Sequence, residues 1–202
     1  MGYHKGELVF SDFPEREPRF IFFTHWNWKV PSDITSKYTC VNFHMTDLPY
    51  GRGGSPLQGL ISRGHVDTVV TAHRMTDRLD EGDMYLKHPL SLHGTAEEIY
   101  LRAQYAVADM IKVILEINAA NCLVPLHCSG MQHPVFKRRT PAQSEIPIDL
   151  ERLDQVYDHA RMLDADTYPR AYVDVGRFRF EFSGAVRYMD EIRASVVIRE
   201  RK

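Results

Sequence analysis

An α/β core with a β-rich tail is the fold this sequence predicts. Short apolar runs of strand length alternate with helical periods over the first part of the chain. A stretch rich in proline, histidine and basic residues, Cys122 to Pro147, then interrupts the pattern. Strand-length runs return between Ala171 and Ile198.

The elements are read in order. Phe20-Ile21-Phe22-Phe23, just after Pro18, reads as a fully buried strand. Pro31-Ser32-Asp33 opens a helical turn, with proline where a helix start tolerates it. Cys40-Val41-Asn42-Phe43 reads as the next strand, and Pro49 to Pro56 as an irregular glycine-rich loop. Ser55 and Pro56 predict an N-cap and first helical residue, with Leu57, Leu60 and Ile61 forming the apolar face. Val66 to Thr76 is β-branched and partly alternating, hence a strand. Asp77 to Asp83 follows as a polar loop and Met84 to Leu86 as a further strand. Thr95-Ala96-Glu97-Glu98 is a capping box that opens a helix to about Asn118. Cys122 to Pro147 is a long loop of a kind that is often functional. Leu150 to Leu163 returns to a helical period. Tyr172–Val175, Phe178–Phe182 and Ser195–Ile198 are strand-like. The chain is divided as a core over 1–130 and a loop, helix and β-rich extension over 131–202, in the same domain or as a small subdomain.

Composition narrows the function classes. The 202 residues suit one domain, and 44% hydrophobic with 26% charged residues is ordinary globular usage. A net charge of −2 gives no general attraction to nucleic acid or to an anionic membrane. Three cysteines, Cys40, Cys122 and Cys128, lack a disulfide-framework spacing and read as reduced thiols of a cytoplasmic protein. No apolar run is long enough to span a membrane, and the first residues lack the apolar segment of a signal peptide. His127, Cys128 and His133 lack paired metal-ligand spacing, so no metal is expected.

The informative stretch is Val41 to Gln58. Asn42 and His44 are two residues apart, so on a strand they share a face. Their place at the strand's carboxyl end is where open α/β sheets bind ligands. An asparagine amide can donate to an oxyanion, and a histidine can move a proton near neutral pH. Asp80, in a polar loop after the next long strand, could orient that histidine or a water. Residue physics alone leaves a plainer alternative open, in which Asn42 bonds to backbone and His44 is satisfied by a turn.

Asn42-Phe43-His44, then Leu48-Pro49, then a glycine-rich loop ending in Ser55-Pro56, resembles the formyltransferase family. Val69 to Met75, followed by Leu79-Asp80-Glu81-Gly82-Asp83, is similar to the family's strand and its Leu-Asp-x-Gly loop. Lys137-Arg138-Arg139-Thr140-Pro141 resembles a segment of the family's sugar-modifying branch. Arg161 to Ala165 and Tyr168 to Ala171 look like the short members of that branch, including those of pseudaminic acid pathways. The likeness covers most of Phe20 to Asp190. Family members place several more strands and helices before the asparagine, whereas only 41 residues precede it here.

The resemblance implies a formyltransferase-like α/β fold, N-terminally shortened, with a mostly parallel sheet flanked by helices. It implies 10-formyltetrahydrofolate as formyl donor and Asn42, His44 and Asp80 as catalytic residues. The pterin would lie between Trp28-Lys29-Val30 and the loop Thr76, Asp77, Arg78 and Leu79. For Trp26 and Trp28, core packing is the alternative. The acceptor, a nucleotide-linked amino sugar, would meet Tyr50, Arg52, Arg138 and Arg139, although those arginines can also be solvated charges. Other readings are an enzyme like those that formylate methionyl-tRNA, or a non-catalytic folate- or nucleotide-binding remnant. A tail of net charge near zero argues against RNA as partner. The β-rich tail admits a homodimer.

Overall fold

The computed structural model describes residues 18–26, 28–127, 133–166 and 168–201. Their elements run β1 (Phe20–Phe23), α1 (Ser32–Lys37), β2 (Thr39–His44), β3 (Arg52–Gly53), α2 (Pro56–Ile61), β4 (Asp67–Arg74), β5 (Met84–Ser91) and α3 (Ala96–Ala119). After these come β6 (Val135–Phe136), a single 3-10 turn at Pro141–Ser144, α4 (Leu153–Arg161), β7 (Ala171–Val175), β8 (Phe178–Arg187) and β9 (Ile192–Glu200). The expected α/β elements and β-rich tail are both present. The stretch expected to be one long loop carries β6 and the 3-10 turn.

These residues gather into two compact units that interleave along the chain. One comprises the described residues of Met1–Gly53, Val69–Pro89 and Tyr105–Val135; the other comprises those of Gly54–Thr68, Leu90–Gln104 and Phe136–Lys202.

In the first unit the strand order is β1-β2-β4-β5. β1 and β2 are parallel, with Phe23 beside Asn42. β2 and β4 are antiparallel, with Asn42 opposite His73 and His44 opposite Thr71. The sheet is therefore mixed, and its inner strand β2 carries Asn42 and His44. Phe23, Val30, Ile34, Tyr38 and Cys40 form an apolar cluster beside it. Burying side chains of this size stabilises by roughly 1.5–3 kcal/mol each.

In the second unit Leu57, Leu60 and Ile61 of α2 are buried, as are Ile99 of α3 and Met162 and Leu163 after α4. Gln58 is buried with them because its Nε2 donates to the Tyr100 hydroxyl at 3.1 Å and the Met162 carbonyl at 2.9 Å. Gly59 leaves room for Phe136; a Cβ there would lie 2.4 Å from that ring. The Thr95–Glu98 capping box forms as expected: the Thr95 amide donates to Glu98 Oε2 at 2.7 Å, and the Glu98 amide donates to Thr95 Oγ1 at 3.3 Å. Ser55 precedes α2, but its side chain does not cap it. Its Oγ instead pairs with the Tyr168 hydroxyl at 2.6 Å and accepts from the Arg139 amide at 3.0 Å. β7, β8 and β9 form an antiparallel three-stranded sheet.

Candidate active site

The pleat of β2 puts Asn42 and His44 on one face, and the antiparallel register brings His73 of β4 opposite Asn42. Asn42 Nδ2 and His73 Nε2 are 3.4 Å apart. The loop after β4 returns Asp80 to the same place. Asp80 Oδ2 lies 3.8 Å from His44 Nδ1, and Asp80 Oδ1 lies 3.5 Å from His73 Nε2. Gly53 N–H donates to Asp80 Oδ2 at 2.9 Å. Asn42, His44 and Asp80 are thus brought together as expected, all within the first unit.

Each histidine has one ring nitrogen facing a backbone carbonyl. His44 Nε2 lies 2.9 Å from the Gly51 carbonyl and His73 Nδ1 lies 3.1 Å from the Arg74 carbonyl. A carbonyl only accepts, so these nitrogens carry the protons and both tautomers are fixed. In the neutral rings, His44 Nδ1 and His73 Nε2 are then bare lone pairs turned toward Asp80. A proton arriving at either nitrogen finds a carboxylate waiting. Burial lowers the His44 pKa, while Asp80 and the Gly51 carbonyl pull it back only in part. Burial pushes the Asp80 pKa up, but the two neighbouring histidines and the Gly53 amide outweigh this and hold it below the usual carboxylate value. A neutral base beside an ionised carboxylate is the outcome.

His73 is the member that sequence reasoning missed. It was read as part of a family motif, with no role of its own. The available signal was its isolation on an apolar strand facing the Asn-x-His strand, but the antiparallel pairing was needed to reveal it.

The other candidates fall in several places. Val30 is buried in the apolar cluster, so its side chain is not open to a ligand. Trp28 is partly exposed and packs edge-on to Trp26, with ring centres 5.1 Å apart, while Lys29 is exposed. Thr76, Asp77, Arg78 and Leu79 form an exposed turn in which Thr76 Oγ1 bonds to Arg78 backbone. Leu79 is 69% exposed, an unusual setting for a leucine beside a buried aspartate. Tyr50 is half-buried. Arg52 is paired with Glu81 at 3.3 Å, which already offsets its charge. Arg138 and Arg139 belong to the second unit, where Arg139 lines a cavity. His127 bonds to Asp83 at 2.7 Å, and Cys128 lies outside the described residues. Among the described residues no helix is long and apolar enough to cross a membrane.

A family model described as the C-terminal domain of methionyl-tRNA formyltransferase matches residues 141–199. A methionyl-tRNA formyltransferase from Rickettsia typhi is 39% identical over 121 residues, covering 58% of this chain and 39% of the relative. The chain thus spans well under half the length of that curated relative. The structure of a methionyl-tRNA formyltransferase from Clostridium thermocellum is 46% identical with a TM-score of 0.84, covering 91% of this chain and 79% of that one. HypX from Aquifex aeolicus, solved in complex with tetrahydrofolic acid, shares the fold at 16% identity and a TM-score of 0.65, over 83% of this chain and 29% of that one. The sequence likeness to the sugar-modifying branch has no counterpart in the names of these two methionyl-tRNA formyltransferases, which are among several relatives above 30% identity. The near-neutral tail, taken as an argument against RNA, is where the tRNA-formyltransferase model matches. Net charge averages over a surface and does not report a local patch.

Proposed function

The chain belongs to the formyltransferase family, and on that premise we propose that it moves a formyl group from 10-formyltetrahydrofolate to an amino group, with methionyl-tRNA as the acceptor class. The observation that carries the chemistry is Asp80 held between two histidines beside Asn42. Formyl transfer is acyl transfer: the acceptor amine attacks the formyl carbon, the carbonyl oxygen becomes an oxyanion, and the amine must lose a proton. One Asn42 amide N–H faces His73 Nε2, which leaves the second to donate to the oxyanion. Losing one such donor typically costs about 3–4 kcal/mol of barrier. His44, neutral because it is buried, takes the amine proton on Nδ1, and Asp80 stabilises the imidazolium that results. His73, anchored through Nδ1 on the Arg74 carbonyl, accepts from the Asn42 amide on Nε2 and fixes its direction. The donor's pterin would lie by the turn Thr76 to Leu79 and the segment Trp28 to Val30.

The acceptor class rests on relatives above 30% identity that are called methionyl-tRNA formyltransferase, and on the family match over 141–199. A nucleotide-linked amino sugar is the second reading, favoured by Lys137 to Pro141. Incubation with labelled 10-formyltetrahydrofolate and either methionyl-tRNA or a panel of nucleotide-linked amino sugars separates the two. Label on methionyl-tRNA alone is expected. Label on a sugar alone would reverse the acceptor class, and label on neither would end the reading of the chain as a formyltransferase.

A further inference from the structure

The second unit contains a cavity of about 610 Å³, lined by none of the residues of the Asn42, His44, His73 and Asp80 cluster. Its charged groups are unevenly satisfied. Two of its three carboxylates are spoken for: Asp154 pairs with Arg187 at 3.0 Å and Asp158 with Arg161 at 2.7 Å. Only Glu145 has no ion-pair partner among the described residues. The three arginines on the wall, Arg63, Arg139 and Arg152, likewise have no carboxylate within ion-pair distance among those residues.

Arg63 and Arg139 are held in place by other means, and Arg152 is exposed. The Arg63 guanidinium lies over the Phe136 ring, 4.3 Å from its centre, and donates to the Gly59 carbonyl at 2.6 Å. Arg139 is half-buried, donates one Nη to the Gln143 carbonyl, and leaves its Nε shut from solvent without an acceptor. A neutral carbonyl satisfies a donor but does not offset the charge. His159, also on the wall, is driven toward its neutral form by burial and by the Arg139 charge. The cavity therefore carries net uncompensated positive charge. Ile61, Pro147, Leu150 and Met162 give it an apolar surface as well.

We propose that this cavity is a binding site for a phosphorylated small molecule of nucleotide size, its phosphates taken by Arg139, Arg152 and Arg63 and its nucleoside by the apolar wall. Guanidinium groups bind phosphate oxygens bidentately, and a ligand of this class neutralises charge that the protein leaves open. The volume falls within the roughly 300–1,000 Å³ typical of small-molecule sites. The proposal does not depend on formyl transfer.

Titration calorimetry on the whole chain, without folate or acceptor, tests it with inorganic pyrophosphate, ADP and an eight-nucleotide RNA. Pyrophosphate and ADP are both expected to bind, ADP more tightly, and both more weakly as salt rises. Arg152→Gln is an exposed change that leaves the core untouched. It should weaken ADP at least about fivefold, while Glu145→Gln should tighten it about threefold, following the sign of charge at the site. No saturable binding of pyrophosphate or ADP up to about 5 mM, a free energy near 3 kcal/mol, would overturn the site. ADP affinity indifferent to both substitutions would do the same. RNA binding more tightly than ADP with the same dependence on Arg152 would overturn the small-molecule class.

Discussion

Asp80 adopts a backbone φ of +53°, in the left-handed region that a non-glycine residue enters at a cost of order 1 kcal/mol. The surroundings over-determine it through the Gly53 amide and the two histidines. Such strain fits a carboxylate aimed at a place rather than one that merely caps a turn. His44→Asn should lower kcat by at least about 100-fold while the affinity for folate, measured by fluorescence quenching, stays within threefold. His73→Asn should cut kcat by about tenfold or more, since Asn42 and Asp80 lose their common neighbour. A variant at His73 with full turnover would leave it a packing residue only. The pH profile follows from the same geometry. In the proposed role His44 is neutral when it accepts the amine proton, and its pKa lies below the usual imidazole value of about 6.5. The acid limb of kcat/KM should therefore fall below that pH. Asp80 favours the imidazolium, so Asp80→Asn should move the limb further toward acid; a shift toward alkali would contradict the pairing.

At the scale of elements, the loop between β4 and β5 is what returns Asp80 to the β2 face. Arg74 N–H donates to the Asp83 carbonyl at 2.8 Å, closing the loop at its neck. Gly82 sits against that neck, where a Cβ would lie 1.8 Å from the Arg74 carbonyl oxygen. Backbone cannot yield as a side-chain tip does. Gly82→Ala should destabilise by about 1–3 kcal/mol in urea unfolding and lower turnover per folded molecule, because Asp80 moves with the loop. Unchanged stability and rate would mean that the loop is free to shift. The strand pattern was legible in the sequence for this region: Phe20 to Phe23, the Asn-x-His strand and Val66 to Thr76 all form strands. The shared face of Asn42 and His44 followed from period two alone. The partnership with His73 was not legible, because strand periodicity does not say which strand lies beside which or in what direction. The role of Ser55 was misread for a related reason. A serine before a proline is a good local cap, but Tyr168 and Arg139, distant in sequence, claim its hydroxyl.

For the whole molecule, the buried histidines make stability depend on pH. Burial lowers the pKa of His44 and His159. The unfolded chain protonates these rings first as pH falls, so each favours folding above about pH 6.5 and that contribution is lost on acidification through the folded-state pKa. Asp80, also depressed, acts in the same direction at lower pH. Thermal melting should fall from pH 7 to pH 5, and the fall should be shallower in His44→Asn; an equal slope would mean that His44 is not held neutral by the fold. The two interleaved units could not have been read from the sequence, since their boundaries fall within β4, β5 and α3 rather than in linkers. Composition changes mark the long stretch after Cys122, but not contacts that join residues 54–68 to 136–202.

The most direct test of the proposed catalytic role is the turnover of Asp80→Asn, measured with labelled 10-formyltetrahydrofolate on the same sample used for melting. The substitution keeps the side chain's shape and removes its charge. If Asp80 stabilises the imidazolium formed as the amine loses its proton, kcat falls by at least about 100-fold while the variant remains folded at the assay temperature. A variant that melts lower but turns over within threefold of the unaltered chain, per folded molecule, would contradict the account and reduce Asp80 to a brace for its loop.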